Sequence, residues 1–464
     1  MKFVKLNASA ASATLAILAG CFFIPAARSD QIVELATPAD GGILPGCERH
    51  EASHVSFLNH GRAMARGHYG SFKYGFGDSV SAACIASQRV DQSLPTHHQI
   101  RATPPVFSKT GFFQISSSQT SPYFASARLD PENPLFFRIE QWRTQSSAAV
   151  SSSRIPVLAP LAGSYAGAAP VNLGLLDQHP FQGLISLGAE GVIFVQRLNT
   201  TDWTFHKIGL DGQAIWSVSH QINVPILSRF PRAITNGNGS AILIASETGV
   251  ALVSAINGAL LLPYQQLMAV ESLRLNQASD ADESFLISAE QGRKAYVLTP
   301  IQGVGAELIQ VDHGFNPAYL SLVEIPSISK DGRRILVFRT VSEFASEFAS
   351  VRVLARPQGA SGFEIEGDLT LPFREHGTVR LLGEAGRIVV KHGPTRTLRV
   401  YNRSVGPSGA ATWTLAATAS SRSANYGLVA SSHKDRFLEL YEAPTTDENG
   451  NSHFYLSVAT YEVR

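Results

Sequence analysis

A polar turn, usually ending in glycine, leads into four to six apolar or β-branched residues, and this phrase recurs every 43 to 54 residues over most of the chain. Copies begin at Gly111 (Gly-Phe-Phe-Gln-Ile), Gly191 (Gly-Val-Ile-Phe-Val), Gly239, Asp282, Gly332, Gly386 and Asp435. After a short polar turn a second run follows: Tyr123 to Leu129, Trp203 to Ile208, Val250 to Ala255, Ala295 to Thr299, Val351 to Ala355 and Leu398 to Tyr401. A third often comes next, as at Ala214 to Val218 and Leu308 to Val311, and another precedes the turn, as at Val379-Arg-Leu-Leu. The runs are short, rich in Val, Ile, Phe and Tyr, and bounded by Gly, Ser, Asn and Asp, which marks them as β-strands. Four strands per unit of this length is the pattern of a propeller blade.

The expected fold is therefore all-β: a seven-bladed β-propeller, with eight blades as the alternative, forming a single domain over residues 30–464 with its repeat blades in 105–464. The last unit stops about one strand short, after Phe437 to Tyr441 and Phe454 to Val463. An open sheet edge is a liability, and propellers close the ring by borrowing a strand from the other terminus. The alternating segment Gln31-Ile-Val-Glu-Leu35 is expected to fill that place. Two stretches fall outside the period. Residues 40–104, with six histidines and two cysteines, read as an irregular insertion or an extra blade. Residues 145–169, rich in Ser, Ala, Pro and Gly, read as a long surface loop. Helical periodicity is confined to the tandem Glu343-Phe-Ala-Ser-Glu-Phe-Ala-Ser350, a duplicated insert at a turn.

The first 29 residues change the picture from fold to location. Lys2 and Lys5 precede an apolar run from about Ala13 to Ile24, and small residues end at Ser29, as in an export signal peptide with a mature start near Asp30. The alternative is Leu18-Ala19-Gly20-Cys21, a lipoprotein-like box that would place a lipid anchor at Cys21. Either reading puts the protein in the periplasm or outside the cell. No other stretch is long and apolar enough to span a membrane as a helix. In an oxidising compartment Cys47 and Cys84 are expected to form a disulfide that staples the N-terminal insertion, contributing about 3 to 4 kcal/mol for a loop of about 38 residues. A net charge of +1 with only 16% charged residues gives no field to favour nucleic acid.

Local resemblances point the same way. Ser329-Lys-Asp-Gly-Arg-Arg-Ile-Leu-Val-Phe338 resembles the Ser-x-Asp-Gly turn of Tol-type bacterial propellers. Leu398-Arg-Val-Tyr, Trp413-Thr-Leu and Tyr426-Gly-Leu-Val are similar to parts of FG-GAP repeats, without the Asp-rich calcium loop of that family. Leu210-Asp-Gly-Gln-Ala-Ile-Trp216 resembles the Gly-x-x-x-Trp corner of quinoprotein-type blades. The three share only the propeller, so they imply architecture and no activity.

Among residues that could carry chemistry, His50-Glu51-Ala52-Ser53-His54 with His60 has the spacing of a zinc-protease helix. Phe57 stands where that pattern wants Gly, and too little chain precedes the motif for the fold it belongs to, so no metal ligand and no cofactor is assigned. No nucleophile elbow, Walker loop, dinucleotide fingerprint or haem-attachment motif occurs. The histidines at 206, 220, 313, 376, 392 and 433 read as solvated or capping residues. Trp142, Trp203, Trp216 and Trp413 read as packing between blades, and Arg333 and Arg334 as a solvated turn. The expected role is binding or scaffolding in the cell envelope, with an envelope protein, a peptide or a carbohydrate as partner. The alternatives are a propeller hydrolase, lyase or lactonase with a site at the central channel, and a metal-binding role for the His-rich segment.

Overall fold

A computed structural model describes residues 30–34, the strand backbones between 51 and 106 and, short segments apart, residues 114–157 and 181–464. Its described residues form eight four-stranded sheets, a two-stranded ribbon and one 3-10 turn at Gly188–Glu190. In chain order the sheets span 51–106, 114–156, 181–221, 232–266, 273–311, 321–370, 377–420 and 428–463, and are numbered first to eighth accordingly. The first seven are antiparallel meanders whose strands pair in chain order.

Burial explains the recurring apolar phrase. The second strands Val192–Arg197 and Ala241–Ala245 are buried at every position. The third strand Asp202–Ile208 alternates, and the fourth, Ala214–Gln221, is largely exposed. A strand buried on both faces reads as a continuous apolar run rather than an alternating one. Here the two faces serve two different layers: Val192 and Phe194 pack against the second sheet, while Ile193 and Val195 pack against the fourth. The core is accordingly a series of layers, each between one sheet and the next, from the second sheet to the eighth.

The glycine of the phrase has its own cause. Gly191, Gly239 and Gly332 have φ of 97°, 72° and 69°, the left-handed region that glycine enters without strain. At Gly191 a Cβ would also lie 2.0 Å from the carbonyl oxygen of Ile208.

The segment expected at Gln31 to Leu35 is a strand, Ile32–Glu34, and it is the fourth strand of the eighth sheet. Ile32 lies opposite Val463, Val33 opposite Glu462 and Glu34 opposite Tyr461. Gln31 and Arg464 exchange backbone hydrogen bonds of 2.8 and 2.9 Å. Two carboxylates tie its ends to the seventh sheet and the connection after it. Asp30 accepts from Arg387 (3.0 Å) and Asn402 (2.7 Å), and Glu34 accepts from Arg422 (2.7 Å).

Two expectations change, and a third narrows between its alternatives. Part of the stretch read as a loop is a strand, Ala149–Pro156, in which every second residue is half-buried. An outer strand is held by backbone pairing with Phe136–Arg143 and covers one face only, so Ser and Ala suffice where the inner strands need Val and Ile. The copy at Gly111 leads into a first strand, Gln114–Ser117, whereas those at Gly191, Gly239, Gly332 and Gly386 lead into second strands. Residues 51–106, which obey no period in sequence, form a four-stranded sheet with the ribbon Phe72–Lys73 and Phe76–Gly77 between its second and third strands.

Candidate functional site

In a meander, the turns between first and second strands and those between third and fourth strands lie at the same end of the sheet. At that end of the fifth and sixth sheets a cleft of about 800 Å³ opens between them. The fifth sheet contributes Glu283, Ser284 and Thr299, and the sixth contributes the turns Lys330 to Arg333 and Arg356 to Ala360.

The walls are fixed by their own hydrogen bonds. Ser329 Oγ donates to Asp331 Oδ1 (2.5 Å) and accepts from the backbone N–H of Arg334 (2.8 Å), while the N–H of Arg333 reaches Asp331 (3.0 Å). The Ser-x-Asp-Gly sequence thus bonds to itself and presents Lys330 and Arg333 to solvent. Arg356 is held by a two-pronged pair with Glu307 (3.1 and 3.0 Å) and by the carbonyl of Ala360 (2.8 Å). Behind Glu283, buried Asn236 of the fourth sheet donates to its carbonyl oxygen (3.2 Å). Ser284 and Thr299 share a hydroxyl contact of 2.8 Å. Among the described residues the cleft is therefore lined by two carboxylates and three cations.

The pair read from sequence as a solvated turn divides. Arg333 lines the cleft, whereas Arg334 turns to Glu366 with two contacts of 3.2 Å, and Glu366 also accepts from Arg403 of the seventh sheet. Glu366–Arg403 and Glu307–Arg356 are one device used twice. In each, the third residue of a fourth strand meets the residue six places on from the first residue of the next sheet's third strand. Only the strand register exposes this correspondence.

The histidines do more than cap or meet solvent. His206 sits inside a strand between Gln196 (3.3 Å) and Ser217 (3.0 Å), and burial holds its pKa below the ordinary value. His220 Nε2 lies 2.6 Å from the carbonyl of Gly258 and so joins the third and fourth sheets. Buried His313 accepts from the N–H of Phe315 at Nδ1 (3.1 Å) and donates from Nε2 to the carbonyls of Gly292 and Arg293, both at 2.9 Å. Trp216 also bridges neighbouring sheets, donating to the carbonyl of Ile256 (3.0 Å), and Trp203 and Trp413 are buried within the layers. His433 and the side chain of Trp142 lie outside the described residues.

The zinc-protease spacing supposes a helix, which the described part of that stretch is not. Glu51–Leu58 is a strand paired with Arg62–Tyr69. His50, His60, Cys21 and Cys47 lie outside the described residues, as does the side chain of Cys84, whose backbone lies in the strand Val80–Arg89 opposite Gly67 and Gln99.

No known protein family and no curated protein matches this sequence. Among solved structures it is similar to Kluyveromyces lactis Hsv2, with 8% identity over 80% of this chain and 99% of that one and a TM-score of 0.42. It is also similar to the WD40 domain of Toxoplasma gondii coronin, with 7% identity over 75% and 80% of the two chains and a TM-score of 0.36. Both of these are β-propeller proteins.

Proposed function

We propose that the chain is an exported, eight-bladed β-propeller that binds a polar peptide segment of a partner protein in the cleft between its fifth and sixth blades. The eight four-stranded sheets support the count, and the place of Ile32–Glu34 beside the last strand of the chain supports a ring closed by the N-terminal segment. The lysines and apolar run ahead of Ser29 support export, and N-terminal sequencing of the mature protein tests it: the expected first residue is Asp30. Export would also bring Cys47 and Cys84 to conditions in which they bridge.

The observation that carries the binding reading is the lining of the cleft. Lys330, Arg333 and Arg356 stand against Glu283 and Asp331, so a ligand with charges of both signs finds partners while a purely apolar one loses. Among the described residues the lining holds no aromatic ring on which a sugar could stack, which favours peptide over carbohydrate. Fluorescence anisotropy with decapeptides of mixed, acidic, basic and neutral composition tests this. Mixed-charge peptides should bind best, and Lys330→Glu with Arg333→Glu should weaken them at least about tenfold, the effect of one or two lost charge-assisted contacts. Equal binding of neutral and charged peptides, or no response to the charge reversal, would overturn the assignment.

A further inference from the structure

The segment that completes the eighth sheet is fitted to its groove by charge as well as by backbone pairing. Successive side chains of an extended segment alternate between faces, so Asp30, Ile32 and Glu34 share one face in the order acid, apolar, acid. The groove carries the complement. At one end Arg387 Nη2 (3.0 Å) and Asn402 Nδ2 (2.7 Å) donate to Asp30. At the other, Arg422 donates to both oxygens of Glu34, at 2.7 to 3.2 Å. Between them Ile32 packs on the layer that holds Leu382, Val389, Phe437 and Val463. The edge itself is the backbone of Ser452–Val463, which pairs with all three residues of Ile32–Glu34.

The pairing, the ion pairs and the apolar packing described for residues 30–34 are all made with residues 382–464. Residues 35–50 join the segment to the first sheet, so its covalent attachment and its recognition lie in different parts of the chain. An identical segment on another molecule would present the same groups to the same partners. Exchange between two molecules therefore conserves the contacts of the segment. The closed monomer and the exchanged dimer then differ mainly by the freedom lost in joining two molecules, which protein concentration offsets. The route is short as well: three ladder residues, two carboxylates and one apolar side chain let go while the sheets stay folded. What they uncover is an unpaired strand edge, which readily takes up a strand from another chain. Charge complementarity names the occupant. A strand lacking either carboxylate forfeits one of the two ion pairs, and every copy of this chain carries both.

We propose that the edge of Ser452–Val463, between Arg387 and Arg422, is a docking site for the N-terminal segment of a second copy of this chain, so that two molecules exchange residues 30–34 and complete each other's eighth sheets. The site lies apart from the cleft between the fifth and sixth sheets and does not depend on the function assigned to that cleft.

Two charge-reversed forms of the mature chain test the exchange. One carries Asp30→Lys with Glu34→Lys in the segment, the other Arg387→Glu with Arg422→Glu in the groove. Alone, each sets like charges face to face. In an equimolar mixture the reversed segment matches the reversed groove, and the native segment of the second form matches the native groove of the first, so only exchange satisfies both sites. Native mass spectrometry at tens of micromolar protein should show the heterodimer in at least about tenfold excess over either homodimer. The mixture should also unfold at a higher temperature than either form by itself.

Chains of native charge give a second readout. Gln31 and Arg464 exchange backbone hydrogen bonds, and the Cα spacing of such a pair is one that a disulfide spans. Gln31→Cys chains mixed with Arg464→Cys chains, held in urea below the unfolding midpoint and then oxidised, should yield dimers whose peptide map joins position 31 of one chain to position 464 of the other. Their yield should rise with protein concentration. Reversed forms that stay monomeric when mixed, or dimerise no better mixed than alone, overturn the proposal; if either form fails to fold, the cysteine chains decide. Cysteine chains that form no dimer, or a dimer without the 31–464 link, overturn it too. An added peptide of unrelated sequence but the same acid, apolar, acid order that is captured by Arg464→Cys chains through its own cysteine, while Gln31→Cys chains are not, assigns the edge to another partner and likewise overturns it.

Discussion

The seventh and eighth sheets are bolted together by one carboxylate with five donors, and its removal can be reasoned through in numbers. Glu439 is fully buried and Lys391 is 2% exposed, with Nζ 2.8 Å from Oε1. The same carboxylate accepts from the hydroxyl of Ser421, the backbone N–H groups of Arg422 (3.0 Å) and Ser423 (3.2 Å), and the hydroxyl of Tyr461 (2.9 Å). Tyr461 is held far above the ordinary phenol range, first by burial and then by the Glu439 charge, and so remains a donor at any pH the fold survives. Lys391→Met keeps the length of the side chain and removes the charge. Breaking one side of a buried pair costs about 3 to 5 kcal/mol. Four donors remain on Glu439, which places the loss near the lower figure, about 3 kcal/mol. Tyr461→Phe removes one donor and no charge, and should cost about 1 kcal/mol. With an unfolding entropy of about 2.1 cal/mol/K per residue over about 400 residues, 3 kcal/mol corresponds to roughly 4 °C in Tm. Circular dichroism during heating and in urea measures both variants. Combining Lys391→Met with Glu439→Gln should recover part of the loss through a coupling of about 1 to 3 kcal/mol. A Lys391→Met variant within a degree of wild type, or strictly additive single losses, would refute the bolt.

The N-terminal strand and the buried histidines can be tested in the same way. Deleting residues 30–34 strips the outer edge from the strand Ser452–Val463 and uncovers the apolar layer that Ile32 packs against; it should cost several kcal/mol and make the C-terminal hairpin the first site of limited proteolysis, whereas Asp30→Asn with Glu34→Gln should cost only about 1 kcal/mol. His206 and His392 both titrate below their ordinary value of 6.5 in the fold, so the unfolded chain binds protons more readily. Their contribution is intact above about pH 6.5 and is lost as pH falls below it; chemical denaturation between pH 7.5 and 5.5 should show stability falling with acidity, and His206→Gln should flatten that slope.

How much of this was legible beforehand follows from where each interaction lies. The doubly buried second strands announce themselves as unbroken apolar runs, and the turn glycines as residues forced to positive φ, so the repeat is visible in Gly191, Gly239 and Gly332. The strand Ala149–Pro156 is not, because an outer strand made of serine and alanine carries no apolar signal. The cleft, the Glu366–Arg403 clasp and the Lys391–Glu439 bolt all form between sheets, from residues about 31 to 77 positions apart. Each member looks like an ordinary surface charge in the sequence.

The place of Ile32–Glu34 has a consequence for the order of events in folding. Its partner strand ends at Val463, so the two are joined by nearly the whole chain. Bringing such distant segments together costs on the order of 5 kcal/mol of chain entropy by the logarithmic scaling of loop closure, against about 1 kcal/mol for a hairpin turn. The strand made early must wait, unpaired, for the one made late. Each earlier sheet can assemble as it emerges from the ribosome, but the eighth cannot have its native edge until Val463 has been made. Until then, the N-terminal segment remains open to any machinery that handles chains before they fold.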